Sequence, residues 1–224
     1  MPRTLTKYID FQTLVNRVDS AAIVIQLMMA CNDLTLANWA IGEWRKEQRI
    51  NHKGRQIGAG MYFLRTQLSH LHEGFQVIEE IKRSSYLFAI VRRCDAQTQE
   101  SFQNLEQFLP GGPKRDDFMK LVGQIRHNLT FHYNQSSKLI ERALLDRAER
   151  EVRNSSMTRA DTAYLWHFKL ADEIIDSIIV HQIWKIPKTS DIRVEVDKVA
   201  DYVHQIFLCF MDFSTEFIWK YFGD

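Results

Sequence analysis

Apolar residues recur along most of this chain at intervals of three or four, which is the period of an α-helix. The clearest case covers 56–82, where one unbroken stripe contains Ile57, Met61, Leu64, Leu68, Leu71, Phe75 and Ile78. No run alternates apolar and polar residues with the β-branched enrichment of a strand. The pattern therefore predicts an all-α fold, a helical bundle of about seven or eight helices with no sheet.

The same period predicts a first helix over 10–31, with an apolar stripe of Phe11, Leu14, Val18, Ala22, Ile25 and Met29. Asn32 and Asp33 are typical of a turn, after which a second helix carries Leu34, Ala37, Ile41 and Trp44 on one face. A short segment follows at 84–93, and further helices are expected over 96–109, 116–133, 137–150, 160–185 and 192–222.

The last of these helices is unusually aromatic. One stripe of it holds Val199, Val203, Ile206, Phe210, Phe213 and Phe217. So much aromatic surface must be covered, either within the bundle or by a second subunit.

Proline occurs only four times, so few positions can interrupt a helix. The strongest linker signal is Leu109-Pro110-Gly111-Gly112-Pro113. We therefore expect 1–224 to form a single all-helical domain, with a candidate subdomain break near 109–114.

The charge balance of the chain means that any contact with nucleic acid must be local. Lys and Arg number 29 against 28 Asp and Glu, so the net charge of +1 supplies no global attraction for nucleic acid or another polyanion. The three cysteines are odd in number and lack the spacing of a zinc site or disulfide framework, which indicates reduced thiols. With no signal core and no apolar window of membrane-spanning length, we expect a cytoplasmic protein that does not enter a membrane.

The segment most informative about function is Ile125-Arg126-His127-Asn128-Leu129-Thr130-Phe131-His132-Tyr133. Phe118, Leu121, Ile125 and Leu129 define the expected buried stripe of its helix, and His132 continues that stripe. Arg126 precedes His132 by six positions, about 120° around a regular helix and roughly 9 Å along it. The two side chains can flank one phosphate only if the helix deforms near Phe131, or if two copies of the segment face each other in a dimer.

These residue types suit phosphodiester cleavage. Imidazole moves protons near neutral pH, and guanidinium holds phosphate oxygens and stabilises developing negative charge. With RNA the substrate's own 2′-hydroxyl can be the nucleophile, so no metal or other cofactor is expected.

At these residues the chain resembles the HEPN superfamily of helical-bundle proteins. The hallmark of that superfamily is an Arg, commonly followed by a polar residue, and then a His after about four to six further residues. The resemblance implies a metal-independent endoribonuclease in which two motifs meet at a homodimer interface. By the same resemblance Arg126, His132 and His127 are the catalytic candidates, with Tyr133 and Asn128 as substrate-binding candidates and RNA as the partner.

The same residues also allow other roles, and the sequence allows another function. Arg126 can instead form a salt bridge with Asp116, Asp117 or Glu141, and His132 can be a core histidine bonded to a carbonyl. The rival function is a non-catalytic helical interaction or regulatory protein, whose aromatic C-terminal helix binds a protein partner.

Two pairs of residues at helical i, i+3 spacing, His70 with Glu73 and Asp201 with His204, have the geometry of metal ligands. A diiron bundle needs a repeated Glu-x-x-His pattern, which is not present in the sequence. We therefore assign no metal residue. The sequence also lacks a Gly-rich phosphate loop, a Gly-x-Ser-x-Gly elbow and a recognisable His-Asp dyad.

Overall fold

The computed structural model describes residues 6–46, 53–125, 137–149, 154–159, 161 and 167–223. In chain order its elements are α1 (Phe11–Val15), α2 (Val18–Lys46), α3 (Lys53–Arg83), α4 (Ser85–Val91), α5 (Ala96–Glu106), α6 (Arg115–Ile125), α7 (Ser137–Ala148), β1 (Met157–Thr158), β2 (His167–Phe168), α8 (Lys169–Ser177), a π-helical segment (Ile178–Ile183) and α9 (Ile192–Tyr221). The all-α fold class is confirmed.

The bundle is built around α3, which contacts α2, α4, α5, α6, α8 and α9. The stripe predicted for this helix is buried from Met61 onward, and Leu68, Leu71, Phe75 and Ile78 are fully inaccessible to solvent. Each such side chain contributes about 2 kcal/mol of burial free energy, so α3 sets the positions of its neighbours.

An aromatic cluster joins α3 to α6. The ring centroids of Phe75 and Phe118 are 5.0 Å apart in an edge-to-face contact, and Phe108 lies 5.3 Å from Phe75 and 5.7 Å from Phe118. Phe108 and Leu109 are both buried in the same core. The core is therefore continuous across the Pro-Gly-Gly-Pro linker.

The aromatic stripe of α9 lies inside the bundle. Phe210, Phe213 and Phe217 are fully buried, and the Phe213 ring lies 4.9 Å from that of Phe102 on α5. The sequence left open whether the bundle or a second subunit covers this stripe. In the structure the protein's own core covers it.

The predicted turn at Asn32 and Asp33 is wrong, because α2 runs through both residues as one helix. Cys31 and Leu34 on either side of them are buried in the core, whereas Asn32 and Asp33 themselves are exposed. Packing of the flanking residues outweighs the weak turn preference of an Asn-Asp pair.

The continuity of α2 also overturns the expectation that no apolar window has membrane-spanning length. By length and composition alone, Val18–Glu43 is apolar enough to cross a membrane, and 39% of its most apolar window is buried in the bundle. Dividing the chain at Asn32 concealed this window. A helix that lies in the core of a soluble protein passes the same test.

The apolar stripe predicted for the first helix is the exposed side of α1 and α2. Phe11 is 81% exposed and Met29 is 59% exposed. The residues of α2 that face the core are Ala21, Val24, Leu27, Ala30, Cys31, Leu34 and Ala37. Because α2 is apolar on both sides, the sequence pattern could not select the buried one.

The prediction of no sheet is wrong in one detail. Met157 pairs with Phe168, and Thr158 with His167, in a short antiparallel ladder. A strand of two residues is too short to show an alternation of apolar and polar positions in the sequence. The helix predicted over 160–185 therefore starts at Lys169, after the strand, and changes to π geometry at Ile178.

We predict that Gly74→Ala destabilises the protein although alanine favours helix. A Cβ at this position would lie 2.7 Å from Cε2 of the fully buried Phe210 ring. We expect a loss of about 1–3 kcal/mol in the free energy of unfolding, measured by urea denaturation.

The matched control is Gly60→Ala on the same helix, where nothing lies within 4 Å of the added Cβ. This change should stabilise the protein by about 0.5–1 kcal/mol. Equal effects of the two substitutions would contradict the packing of α3 against α9.

Candidate functional site

All five candidate residues from the sequence, Arg126, His127, Asn128, His132 and Tyr133, lie outside the described residues. The structure describes the two helices that flank them. α6 ends at Ile125, which is fully buried, and α7 begins at Ser137. The geometry relevant to these candidates is therefore that of their attachment to the bundle.

The N-terminal attachment is α6. Its buried side consists of Phe118, Val122 and Ile125, none of which is accessible to solvent. Phe118 and Ile125 were predicted to be buried, but Val122 takes the place expected for Leu121, which is only partly buried. The contact of Phe118 with Phe75 fixes this helix against α3.

The π-helical segment after α8 contacts both flanking helices. Trp184, directly after this segment, donates its indole N–H to the carbonyl oxygen of Leu121 in α6, at 3.4 Å. Gln182 donates its side-chain amide to the carbonyl oxygen of Leu139 in α7, at 3.0 Å. Both helices that lead into 126–136 are thus held by the same short stretch of chain. Isolated π-helical turns are often found at functional sites.

Backbone irregularity continues past this stretch. Lys185 has a φ of 60°, in the left-handed region that a non-glycine residue seldom adopts. Two hydrogen bonds hold the turn: Ile186 donates its backbone N–H to Val180, and the His181 ring lies 2.9 Å from the carbonyl oxygen of Ile186. Gln182 is buried, and its side-chain oxygen has no hydrogen-bond partner within the described part of the chain.

An open groove of about 880 Å³ runs between α6 and this irregular turn. Its lining residues are Asp116, Asp117, Met119, Lys120, Leu121, Gly123, Ile183, Trp184 and Lys185. Lys120 forms an ion pair with Asp117 at 2.8 Å, and this contact raises the pKa of the lysine. Charge in the groove is balanced, so its described walls supply no concentrated positive field for a phosphate chain.

A second group of polar side chains surrounds α8, and sequence reasoning missed it. His167 Nε2 lies 3.0 Å from Asp172 Oδ2, which makes these residues a His-Asp pair. The prediction that the chain has no His-Asp dyad is therefore wrong. The two residues come from β2 and the first turn of α8, and their five-residue separation matches no recognised motif. The pair exists because the chain reverses at the strand.

Glu173 on the same helix is held by cations from two elements. Arg147 of α7 lies 3.0 Å away and Lys169 lies 3.5 Å away. Partial burial acts to raise the pKa of Glu173, but hydrogen bonds from Ser155 and Arg147 outweigh it, and the net shift is downward. Glu173 is thus an ionised anchor between α7 and α8.

Asp176 has the opposite property. Burial, with a smaller contribution from the charge of Asp172, raises its pKa to about 7, although Arg65 of α3 acts against this shift. A carboxyl with this pKa exchanges a proton at neutral pH. We define the α8 cluster as His167, Asp172, Glu173 and Asp176. Through Asp176 it can transfer protons near neutral pH.

The histidine and carboxylate pairs considered as metal ligands do not converge. His70 lies 3.6 Å from Asp33 of α2, and His72 lies 3.5 Å from Glu73. His204 stacks on Phe207, with the ring centroids 5.9 Å apart. Within the part of the chain that the structure describes, no three His, Cys, Asp or Glu side chains are grouped closely enough to hold a metal ion.

Comparison with known proteins supplies no identification, since no family model, no curated protein and no solved structure matches this chain.

We predict that Asp176→Asn stabilises the protein at alkaline pH. The native pKa of about 7 exceeds the usual value of 3.8, so wild-type stability should fall as the pH rises from 4 to 7 and stay low above 7. At pH 8 the variant should therefore be more stable than wild type by about 2 kcal/mol, and the difference should disappear near pH 4.

Urea denaturation at pH 8, 6 and 4 measures this difference. The control is Asp197→Asn, which makes the same change at an exposed position of α9. A gain that is equal in the two variants, or that does not depend on pH, would show that burial of the Asp176 carboxyl is not its cause.

Proposed function

We propose that this protein is a HEPN-like, metal-independent endoribonuclease that acts as a homodimer in the cytoplasm. The chemical basis is the segment from Arg126 to His132, which combines a permanent cation with imidazole groups. The all-α fold agrees with this assignment. The observation that supports it most is that the π-helical region holds both flanking helices, through Leu121 and Leu139.

That attachment matters because catalysis needs positioned groups. A segment of eleven residues, 126–136, joins two helices whose adjoining ends are each anchored in the bundle. Fixed ends reduce the conformational entropy that must be lost when the segment binds a substrate.

The reaction follows from the residue types. An imidazole, assigned to His132, removes the proton of the ribose 2′-hydroxyl, and the 2′-oxygen then attacks phosphorus. The bond to the 5′-oxygen then breaks. The protonated imidazole of the second His132, from the other copy of the motif in the homodimer, protonates that oxygen as it leaves. Arg126 stabilises the extra negative charge on the phosphate oxygens. The products are a 2′,3′-cyclic phosphate and a free 5′-hydroxyl. In this scheme His127 is the auxiliary polar residue, and Asn128 and Tyr133 contact the substrate.

The alternative function is a non-catalytic helical interaction or regulatory protein. In the sequence it depended on the aromatic C-terminal helix, but Phe210, Phe213 and Phe217 of that helix are buried within the chain. A partner for this protein must therefore bind another surface.

The test is cleavage of end-labelled, single-stranded RNA of mixed sequence in the presence of EDTA. Wild type should cleave it, and His132→Ala and Arg126→Ala should each lower the rate at least 100-fold, since each removes a group that acts at the transition state. Replacing the 2′-hydroxyls of the RNA by 2′-O-methyl groups should abolish cleavage. Circular dichroism should show an unchanged helical fold in both variants.

His204→Ala is the matched control, because it removes an exposed histidine of α9 that stacks on Phe207. It should retain wild-type activity. Equal activity in wild type and His132→Ala would refute the mechanism, and RNA that remains intact with wild type would favour the non-catalytic alternative.

A further inference from the structure

The outward face of α2 carries apolar residues at the spacing of a helix-pairing surface. Its members, which we call the α2 stripe, are Val18, Ala22, Ile25, Met29, Asn32, Leu36 and Trp39. All are exposed, and successive members are separated alternately by four and three positions. This alternation is the heptad spacing that keeps one face of a long helix directed toward a second helix.

The side chains of the stripe are large enough to require a cover. Leu36 is 63% exposed, Trp39 60% and Met29 59%. Together the stripe presents on the order of 600 Å² of apolar surface, close to the roughly 800 Å² per partner that a standard interface buries. The spacing continues through Val15 and Phe11 of α1, which are 63% and 81% exposed.

Side-chain size along the stripe indicates what covers it. The N-terminal half contains the small residues Val18 and Ala22, and the C-terminal half contains the large residues Leu36 and Trp39. If a second α2 packs antiparallel about Met29, Trp39 lies opposite Val18 of the copy and Leu36 lies opposite its Ala22. Large side chains then meet small ones, as close packing requires. A parallel pair would instead place Trp39 against Trp39 and leave a gap between the two Ala22 residues.

Charge agrees with this pairing and disfavours a membrane. The exposed acidic residues beside the stripe are Asp19, Asp33 and Glu43. An anionic lipid surface would repel them. In the antiparallel register Asp33 lies opposite Ile25 of the copy, so no carboxylate faces another.

We propose that the α2 stripe is the interface between two copies of this chain, packed antiparallel about a twofold axis at Met29. This interface is separate from the contact at which two copies of the 126–132 segment would meet in the proposed ribonuclease, since the flanking helices α6 and α7 pack against α3, α8 and the π-helical segment. The inference therefore does not depend on the proposed ribonuclease activity.

Analytical ultracentrifugation of the full chain tests the interface. Wild type should sediment at no less than twice the chain mass of 26.4 kDa at low micromolar concentration. Leu36→Lys should weaken the dimer at least 100-fold, because it places two unpaired ammonium groups in the apolar interface. The control is Leu145→Lys, which makes the same change at a residue of α7 that is 69% exposed, and it should remain dimeric.

Cysteine crosslinking tests the antiparallel register. Met29→Cys should form a disulfide with its copy under mild oxidation. Leu36→Cys should not, because the two sites would be about 21 Å apart along the helices, whereas a mixture of Ala22→Cys and Leu36→Cys chains should crosslink. The three native thiols interfere little, since burial raises the pKa of Cys31 and Cys209 to about 11 and also raises that of Cys94.

Three results would overturn the proposal. The first is a monomeric wild type at 100 µM, and the second is a dimer that Leu36→Lys leaves intact. The third is a monomer that sediments with phosphatidylcholine and phosphatidylserine vesicles unless Leu36 is changed to Lys, which would assign the stripe to a membrane. None of these measurements involves RNA, so failure of the ribonuclease proposal would not change their outcome.

Discussion

Burial of α3 is the constraint on which the other helices depend. Leu71, Phe75 and Ile78 are all inaccessible, and no single neighbour can cover a helix buried along so much of its length. Six helices share the task, and the Phe75 ring alone contacts aromatic rings from α6 and from the segment after α5. Since such aromatic contacts are directional, the orientation of α6 is set together with its position.

The attachment of the two helices that flank the candidate ribonuclease segment follows from that packing. α6 brings the chain to Ile125 in the core, and Gln182 and Trp184 attach α7 and α6 to one irregular stretch. A regular α-helix after α8 would present different side chains to these two helices, because the π geometry changes the angle between successive residues. The irregular backbone at Lys185 belongs to the same arrangement.

The α8 cluster shows how tertiary structure creates polar chemistry that no motif announces. His167 reaches Asp172 only because a two-residue strand precedes α8, and Glu173 is ionised because Arg147 approaches from another helix. Burial dominates the titration of Asp176, and the charge of Arg65 offsets it only in part. Neighbouring carboxyl groups on one helix thus have pKa values shifted in opposite directions.

The sequence by itself determined the all-α class, the long buried α3 and the aromatic α9, because each depends on a strong local period of apolar residues. It also predicted Arg126 to His132 as the candidate functional segment, from its combination of residue types. Only the tertiary structure decided which side of α2 is buried, since both sides are apolar and Val24 competes with Ile25 for the core. The continuation of α2 through Asn32, the strand before α8 and the His167–Asp172 pair likewise depend on long-range contacts, and these outweigh local preferences of a few tenths of a kcal/mol.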